Sequence, residues 1–324
     1  MLKGAIAGFR GDMEAVVRPA FKVLDKDFTL SAFCEETPEL LEQAAALLPG
    51  AGRFSDYDRL LLKAGELDFV FLRVPGPARF EAALKALEKN LHVLCETPPC
   101  FSSSEFARLT ELAGRNGRTI FTVQPWERSS AWMALERVLT GELLGRVFFA
   151  ESQVFTRAPA PPGGIAAAAG WQAFAMLLGL VRRPPSAMSA RLCPAPEPGS
   201  AAEDSRAAFQ VQFGDADGAV YLCAGAHEDR LRVSARGEKG CAELEGDTLR
   251  LNIKGLPPET IKFGENLCFG HARAQWLAAE LADFSREVKK EVPPGTGLRN
   301  ARYCVKLLKN ACYSASLKSA AVPL

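Results

Sequence analysis

The chain is expected to fold as α/β: an N-terminal doubly wound parallel sheet, then an α+β domain with a large, mostly antiparallel open sheet. Three observations predict this. Up to about residue 123, short continuous apolar runs such as Phe69-Val70-Phe71-Leu72 alternate with helical patterns, as parallel strands covered on both faces do. Beyond it, apolar and polar residues alternate, as in Phe209, Val211 and Phe213 against Gln210 and Gln212, so one sheet face meets water or a partner. Finally, 324 residues are long for one core, which favours two domains, 1–123 and 124–324.

The elements follow in order. An apolar run from Leu2 ends at Ala7-Gly8, and Val16, Val17, Ala20, Phe21 and Leu24 then recur at helical spacing. Phe28 to Cys34 reads as a buried strand and completes a βαβ unit. Thr37-Pro38 offers a helix cap with proline at the first helical position, and Leu40, Leu41, Ala44, Leu47 and Leu48 form that helix's apolar face up to Pro49-Gly50. Asp56 to Lys63 is a second short helix. The strand at Phe69 to Leu72 ends in Pro75-Gly76-Pro77, a helix from Ala78 to Lys89 follows, and His92 to Cys95 is the next strand. Ser102 and Glu105 have capping-box spacing for a helix ending at Asn116-Gly117, after which Thr119 to Val123 is strand again.

In the second domain a helix from about Ala131 to Leu139 leads through Gly141 and Gly145 into the alternating strands. Leu249, Leu251 and Ile253 alternate with Arg250, Asn252 and Lys254, and the stretches Asp215 to Gly218 and Gly237 to Gly240 suit hairpins. Arg157 to Gly164 and Pro194 to Asp204 read as irregular, and two helices, near Ala272 to Val288 and Leu298 to Leu317, close the chain.

Composition narrows the function classes. With 39 basic and 38 acidic residues the net charge is +1, so no field of one sign points to nucleic acid or an anionic membrane, and a small-molecule ligand is expected. Nine scattered cysteines with no CxxC pair, and no Cys/His cluster at zinc spacing, read as reduced thiols with no metal. The N-terminal run is too short for a signal or a membrane span, and a cytoplasmic location is expected.

The opening turn, Gly8-Phe9-Arg10-Gly11-Asp12-Met13, resembles a nucleotide-binding loop in part. Such a loop uses glycines for the tight turn, for close approach to pyrophosphate and for packing helix on strand. Gly8 fits the first place, Arg10 stands at the second, Met13 at the third, and Gly11 falls between them. The same turn also reads as a plain strand-to-helix connection, with Asp12 as helix N-cap. A carboxylate there would repel pyrophosphate by about 3 kcal/mol at ~5 Å and an effective dielectric of about 20, and Arg10 would offset much of it. Glu35, at the end of the second strand, is placed to bond ribose hydroxyls and so to favour NAD over NADP; its alternative is a surface glutamate beside Glu36.

Taken together, these residues resemble the Gfo/Idh/MocA family, the glucose-fructose oxidoreductase and inositol dehydrogenase relatives. The matching pieces are Ile6 to Met13, Ser31 to Glu35, Val74-Pro75-Gly76 for a Thr-Pro-Pro turn, and His92-Val93-Leu94-Cys95-Glu96-Thr97-Pro98 for the family's His-Val-Leu-Cys-Glu-Lys-Pro. Gly141 to Gly145, Gly163-Gly164 and Ser314 to Leu324 follow the pattern as well. The resemblance implies a Rossmann domain that binds NAD, with NADP as the alternative, through Gly8 to Met13, Glu35, Val74, Pro75, Glu96 and Thr97. It further implies a sheet domain that holds a sugar or cyclitol and whose open face makes a homo-oligomer, typically a dimer.

The same resemblance marks departures where the proton moves. Thr97 stands at the family's lysine, Ala168 at its aspartate and Gln172 at its histidine, and none of the three exchanges a proton near neutral pH. Losing a positioned general acid or base costs about 10² to 10⁴ in rate. Two readings stay open: an oxidoreductase whose proton donor has moved, with Glu96, His271 or the substrate itself as the substitute, or a non-catalytic descendant that binds a metabolite or serves assembly. Gln124, Trp126, Trp171 and Gln172 either line a binding site or fill a disused one. His92 is expected to be structural, while His227 and His271 have no assigned place.

Overall fold

The computed structural model describes residues 1–194, 204–268, 272–298 and 300–324. Strands β1 (Leu2–Ala7), β2 (Phe28–Cys34), β3 (Gly52–Phe54), β4 (Phe69–Leu72), β5 (His92–Glu96) and β6 (Ile120–Val123) form one sheet. Every neighbouring pair in it is parallel, in the order β3-β2-β1-β4-β5-β6. Helices α1 (Arg18–Val23), α2 (Pro38–Leu47), α3 (Tyr57–Leu61), α4 (Gly76–Glu88) and α5 (Ser103–Arg115) supply the crossovers. The capping box at Ser102 and Glu105 forms as its spacing predicts.

The second sheet contains β7 (Val147–Thr156), β8 (Ala187–Cys193), β9 (Arg206–Gln212), β10 (Asp217–Ala224), β11 (Arg230–Gly237), β12 (Gly240–Glu245), β13 (Thr248–Ile253), β14 (Glu259–Lys262) and β15 (Val322–Pro323). Its order is β14-β13-β12-β11-β7-β10-β9-β8-β15, antiparallel except where β10 runs alongside β7. The remaining helices are α6 (Ser130–Thr140), α7 (Gly164–Val181), α8 (Ala274–Val288) and α9 (Ala301–Ser316). Both expected hairpins are present, at the β9–β10 and β11–β12 turns.

The chain divides into two compact units, and the first is discontinuous: residues 1–128 together with 272–302. A single boundary after residue 123 does not describe this, because α8 returns to the parallel-sheet unit. Leu277, Leu281 and Phe284 of α8 join Phe28, Phe69, Phe71 and Phe121 in one core. The Phe284 ring lies 5.6 Å from Phe69 and 5.9 Å from Phe121, both edge-on, and is fully buried. Burying such a ring stabilises by about 2 to 3 kcal/mol, so the returning helix contributes substantially to this unit.

Within the second unit, residues 129–271 and 303–324, α7 packs on β7, β10 and β11 and is apolar nearly all round. It is long and apolar enough to cross a membrane by composition, yet 78% of it is buried as a core helix. Its start is fixed by Asp204, whose Oδ1 accepts from Ala166 N at 3.0 Å and whose carbonyl accepts from Ile165 N at 3.0 Å. The expected loop over 194–204 lies mostly outside the described residues.

Candidate functional site at the carboxyl ends of the parallel strands

The order β3-β2-β1-β4-β5-β6 reverses direction between β1 and β4, and in open parallel sheets ligands bind outside the strand ends at such a switch point. The turn after β1 and the turn after β4 flank that place. Gly8 takes φ +93°, and a Cβ there would lie 2.7 Å from the Arg73 carbonyl carbon and 2.9 Å from Val74 N. Only glycine tolerates both the φ and the contact. The backbones are joined further by Arg73 N donating to Ala7 O at 2.7 Å.

Glu35 closes the other side of the same turn. Its Oε2 accepts from Phe9 N at 2.7 Å and its Oε1 from Thr37 N at 3.0 Å. It is therefore bonded to the loop backbone, which the surface reading of this residue does not provide. Each oxygen retains a second lone pair for another donor.

The remainder of the turn is bound by charge. Arg73 is 3% exposed; its Nη2 donates to Asp12 Oδ1 at 2.6 Å and its Nε to Glu96 Oε1 at 2.9 Å. Burial lowers its pKa, but the adjacent Glu96 and Asp12 more than reverse this, and the net shift is upward. Arg10 donates from Nε to Arg73 O at 3.1 Å and pairs through Nη1 with Glu96 Oε2 at 3.3 Å. Arg79, also 3% exposed, approaches Glu96 Oε2 at 3.5 Å, and its Nη1 and Nη2 donate to Pro98 O and Val74 O. Burial, with smaller repulsion from Arg10 and Arg73, lowers the Arg79 pKa, and its Nε is buried without a hydrogen-bond partner.

Asp12 was expected to cap the following helix, and the structure corrects this. The segment Met13–Val17 begins as a π-helical turn, and the Asp12 side chain makes no capping bond. A buried guanidinium competes for that carboxylate and holds it instead. Met13 is 1% exposed, and its sulfur lies 3.8 Å from Arg73 Nη1, so it packs where a glycine would bring helix against strand. Gly11 is exposed.

Arg73 and Arg79 were missed in the sequence. Their signal was present: Arg73 directly follows the four-residue apolar run of β4, and Arg79 shares a helical face with Ala82, Ala83 and Ala86, all buried. A charge inside an apolar period marks either a buried ion pair or an error in the period.

The other sequence-chosen residues are divided between the units. In the first, Thr97 is half-buried at the end of β5, joined to Pro98 by a cis peptide bond, and Val74 is half-buried while Pro75 is exposed. Gln124 and Trp126 are buried, with Gln124 N donating to Glu280 Oε2 at 3.1 Å. In the second, Ala168 is exposed and Gln172 half-buried on one face of α7, whereas Trp171 is buried in the core at 2% exposure. His92 is buried and accepts from Thr119 N at 2.9 Å, and His227 is exposed. His271 lies outside the described residues.

Fold and turn together define a two-unit protein with a Rossmann-type parallel sheet and a second, open sheet. Residues 2–124 match the family described as an oxidoreductase family with an NAD-binding Rossmann fold. Over that stretch the chain is similar to the Rossmann domain of the Gfo/Idh/MocA oxidoreductases. It is 26% identical over 166 residues to a D-glucoside 3-dehydrogenase of Escherichia coli, spanning 51% of this chain and 46% of that one. It is also 33% identical over 118 residues to an inositol 2-dehydrogenase of Streptomyces avermitilis, spanning 36% and 34%. The chain thus spans less than half the length of each of these curated relatives. The fold matches that of a levoglucosan dehydrogenase solved with NADH and L-sorbose, with a TM-score of 0.85, 16% identity, and coverage of 99% and 98%.

Proposed function

We propose that this chain binds NAD(H) through its parallel-sheet unit and a sugar- or cyclitol-like polyol with its second unit. The observation that carries the reading is the Gly8 turn: its positive φ and its contact with the β4 turn reproduce the first glycine of a dinucleotide loop. The residues present fit the cofactor. Gly8 to Asp12 would face the pyrophosphate with Met13 buried behind them, Glu35 would accept from the ribose hydroxyls, and Val74, Pro75, Glu96 and Thr97 would border the nicotinamide half. NAD is favoured over NADP because Glu35 would oppose a 2′-phosphate, while the partners of Arg10 are Arg73 and Glu96.

The bound nicotinamide would supply hydride transfer. The chain's own part is to bind and orient, since the family resemblance sets Thr97, Ala168 and Gln172 at its proton-handling positions and none of them titrates near neutral pH. Glu96 is an unsuitable substitute, because both of its oxygens face guanidinium N–H donors from Arg10, Arg73 and Arg79. Its role is to anchor the turns. Names of the relatives, a D-glucoside 3-dehydrogenase and an inositol 2-dehydrogenase, support a polyol ligand.

A second reading, a non-catalytic binding protein, is favoured by the same three residues. Single-turnover mixing of the full chain with NAD and a polyol panel separates them. The oxidoreductase reading requires NADH absorbance to appear with protein in excess, and its absence across the panel selects the non-catalytic reading.

The open sheet is proposed to pair two copies. Its face carries Gln153, Gln210 and Tyr221 around a depression of about 530 Å³, a polar surface with an exposed aromatic. Sedimentation equilibrium at the mass of a single chain would exclude this.

A further inference from the structure

We propose that Arg73 is the positioning residue that keeps the worn turn open to a dinucleotide, acting by neutralising Asp12. This rests on the NAD(H)-binding reading above. A dinucleotide brings two phosphate charges to the turn after β1, and that turn carries a carboxylate of its own. The Asp12 side chain is 41% exposed, so its field reaches the ligand side, whereas the Arg73 side chain is 2% exposed. Arg73 follows β4, and its own backbone is bonded to β1, so the cation beside Asp12 is fixed by the sheet and not by a mobile surface chain.

Three guanidiniums, of Arg10, Arg73 and Arg79, meet two carboxylates, of Asp12 and Glu96. The cluster therefore holds one positive charge in excess. Arg79 is held in that cluster by burial, and its Nε has no hydrogen-bond partner there. Without Arg73 the balance would reverse only at Asp12, because Glu96 would still have Arg10 and Arg79. Arg73 thus acts on the ligand through Asp12, while it also joins the β1 and β4 turns through the Arg10–Arg73 carbonyl bond. In this arrangement the carboxylate of a turn with arginine and methionine at its second and third glycine places is neutralised by a buried cation before a pyrophosphate meets it.

The test is a double-mutant cycle on the full chain, read by NADH titration at low and high salt, with thermal melting alongside. Asp12→Asn is expected to bind NADH about three- to tenfold more tightly, with a gain that shrinks as salt screens it. Arg73→Met is expected to bind at least about tenfold more weakly, and Arg73→Met/Asp12→Asn to return within about threefold of the unaltered protein. A merely structural role for Arg73 would lower melting temperature and show no rescue by Asp12→Asn. Weaker binding by Asp12→Asn, or a double variant as weak as Arg73→Met, overturns the proposal while leaving the binding reading in place. Should Arg73→Met not fold, the direction of the Asp12→Asn change decides alone. An unaltered protein that does not bind NADH removes the binding reading and this proposal with it.

Discussion

The Phe9 amide donates to Glu35 Oε2 at 2.7 Å, so the residue that would read the ribose is tied to the backbone of the loop that would hold the pyrophosphate. A change at Glu35 therefore alters charge and loop geometry together. Glu35→Ser is expected to weaken NADH about tenfold and to improve NADPH relative to NADH by a similar factor. Parallel titrations with the two cofactors measure it, and an unchanged ratio would remove Glu35 from cofactor selection.

Gly8→Ala combines a left-handed backbone with a Cβ 2.7 Å from the Arg73 carbonyl carbon. Neither neighbour is a flexible side chain that can move aside. Destabilisation of about 2 to 4 kcal/mol is expected in urea unfolding, from backbone strain together with overpacking. A change below about 0.5 kcal/mol would show that the two turns separate readily.

His92 gives the fold a pH dependence of known sign. Burial, and then the Arg118 charge, push its pKa down to about 4, with Nδ1 already accepting from Thr119 N. Below the unfolded value of about 6.5 the unfolded chain takes a proton that folded His92 refuses, so stability falls as pH drops from about 6.5 towards 4. His92→Asn keeps an acceptor and removes the titration. It should lose about 2 to 3 kcal/mol less than the unaltered protein between pH 7 and 4.5, as read by urea midpoints, whereas equal losses would assign the acid sensitivity elsewhere.

Thr97→Lys, Ala168→Asp and Gln172→His together restore the titratable groups that the family resemblance places at these positions. The triple variant is expected to reduce NAD with a polyol at least about 10²-fold faster than the unaltered protein. Stopped-flow absorbance of NADH checks this. No gain in a folded, cofactor-binding variant would show that the substrate pocket has changed as well.

Much of the parallel sheet was legible because its strands are buried on both faces: Phe69 to Leu72 can be read as little else, and Ser102 with Glu105 marks a helix start from local chemistry alone. The return of α8 was not, since Phe284 meets Phe69 across more than two hundred residues and periodicity carries no partner information. The site divides in the same way. Gly8 and Glu35 were legible because backbone conformation and strand-end position demand those residue types. The Arg73–Asp12 pair was not, because an ion pair 61 residues apart looks in sequence like two unrelated solvated charges. That pair also explains why Asp12, a good cap on local grounds, caps nothing.

The central claim, that a turn retaining one of three glycines still receives a dinucleotide, is tested most directly by isothermal titration of NADH into the purified full chain. Saturable one-to-one binding at micromolar concentration is the predicted result. No heat of binding up to millimolar NADH, with the protein folded by thermal melt, would contradict it.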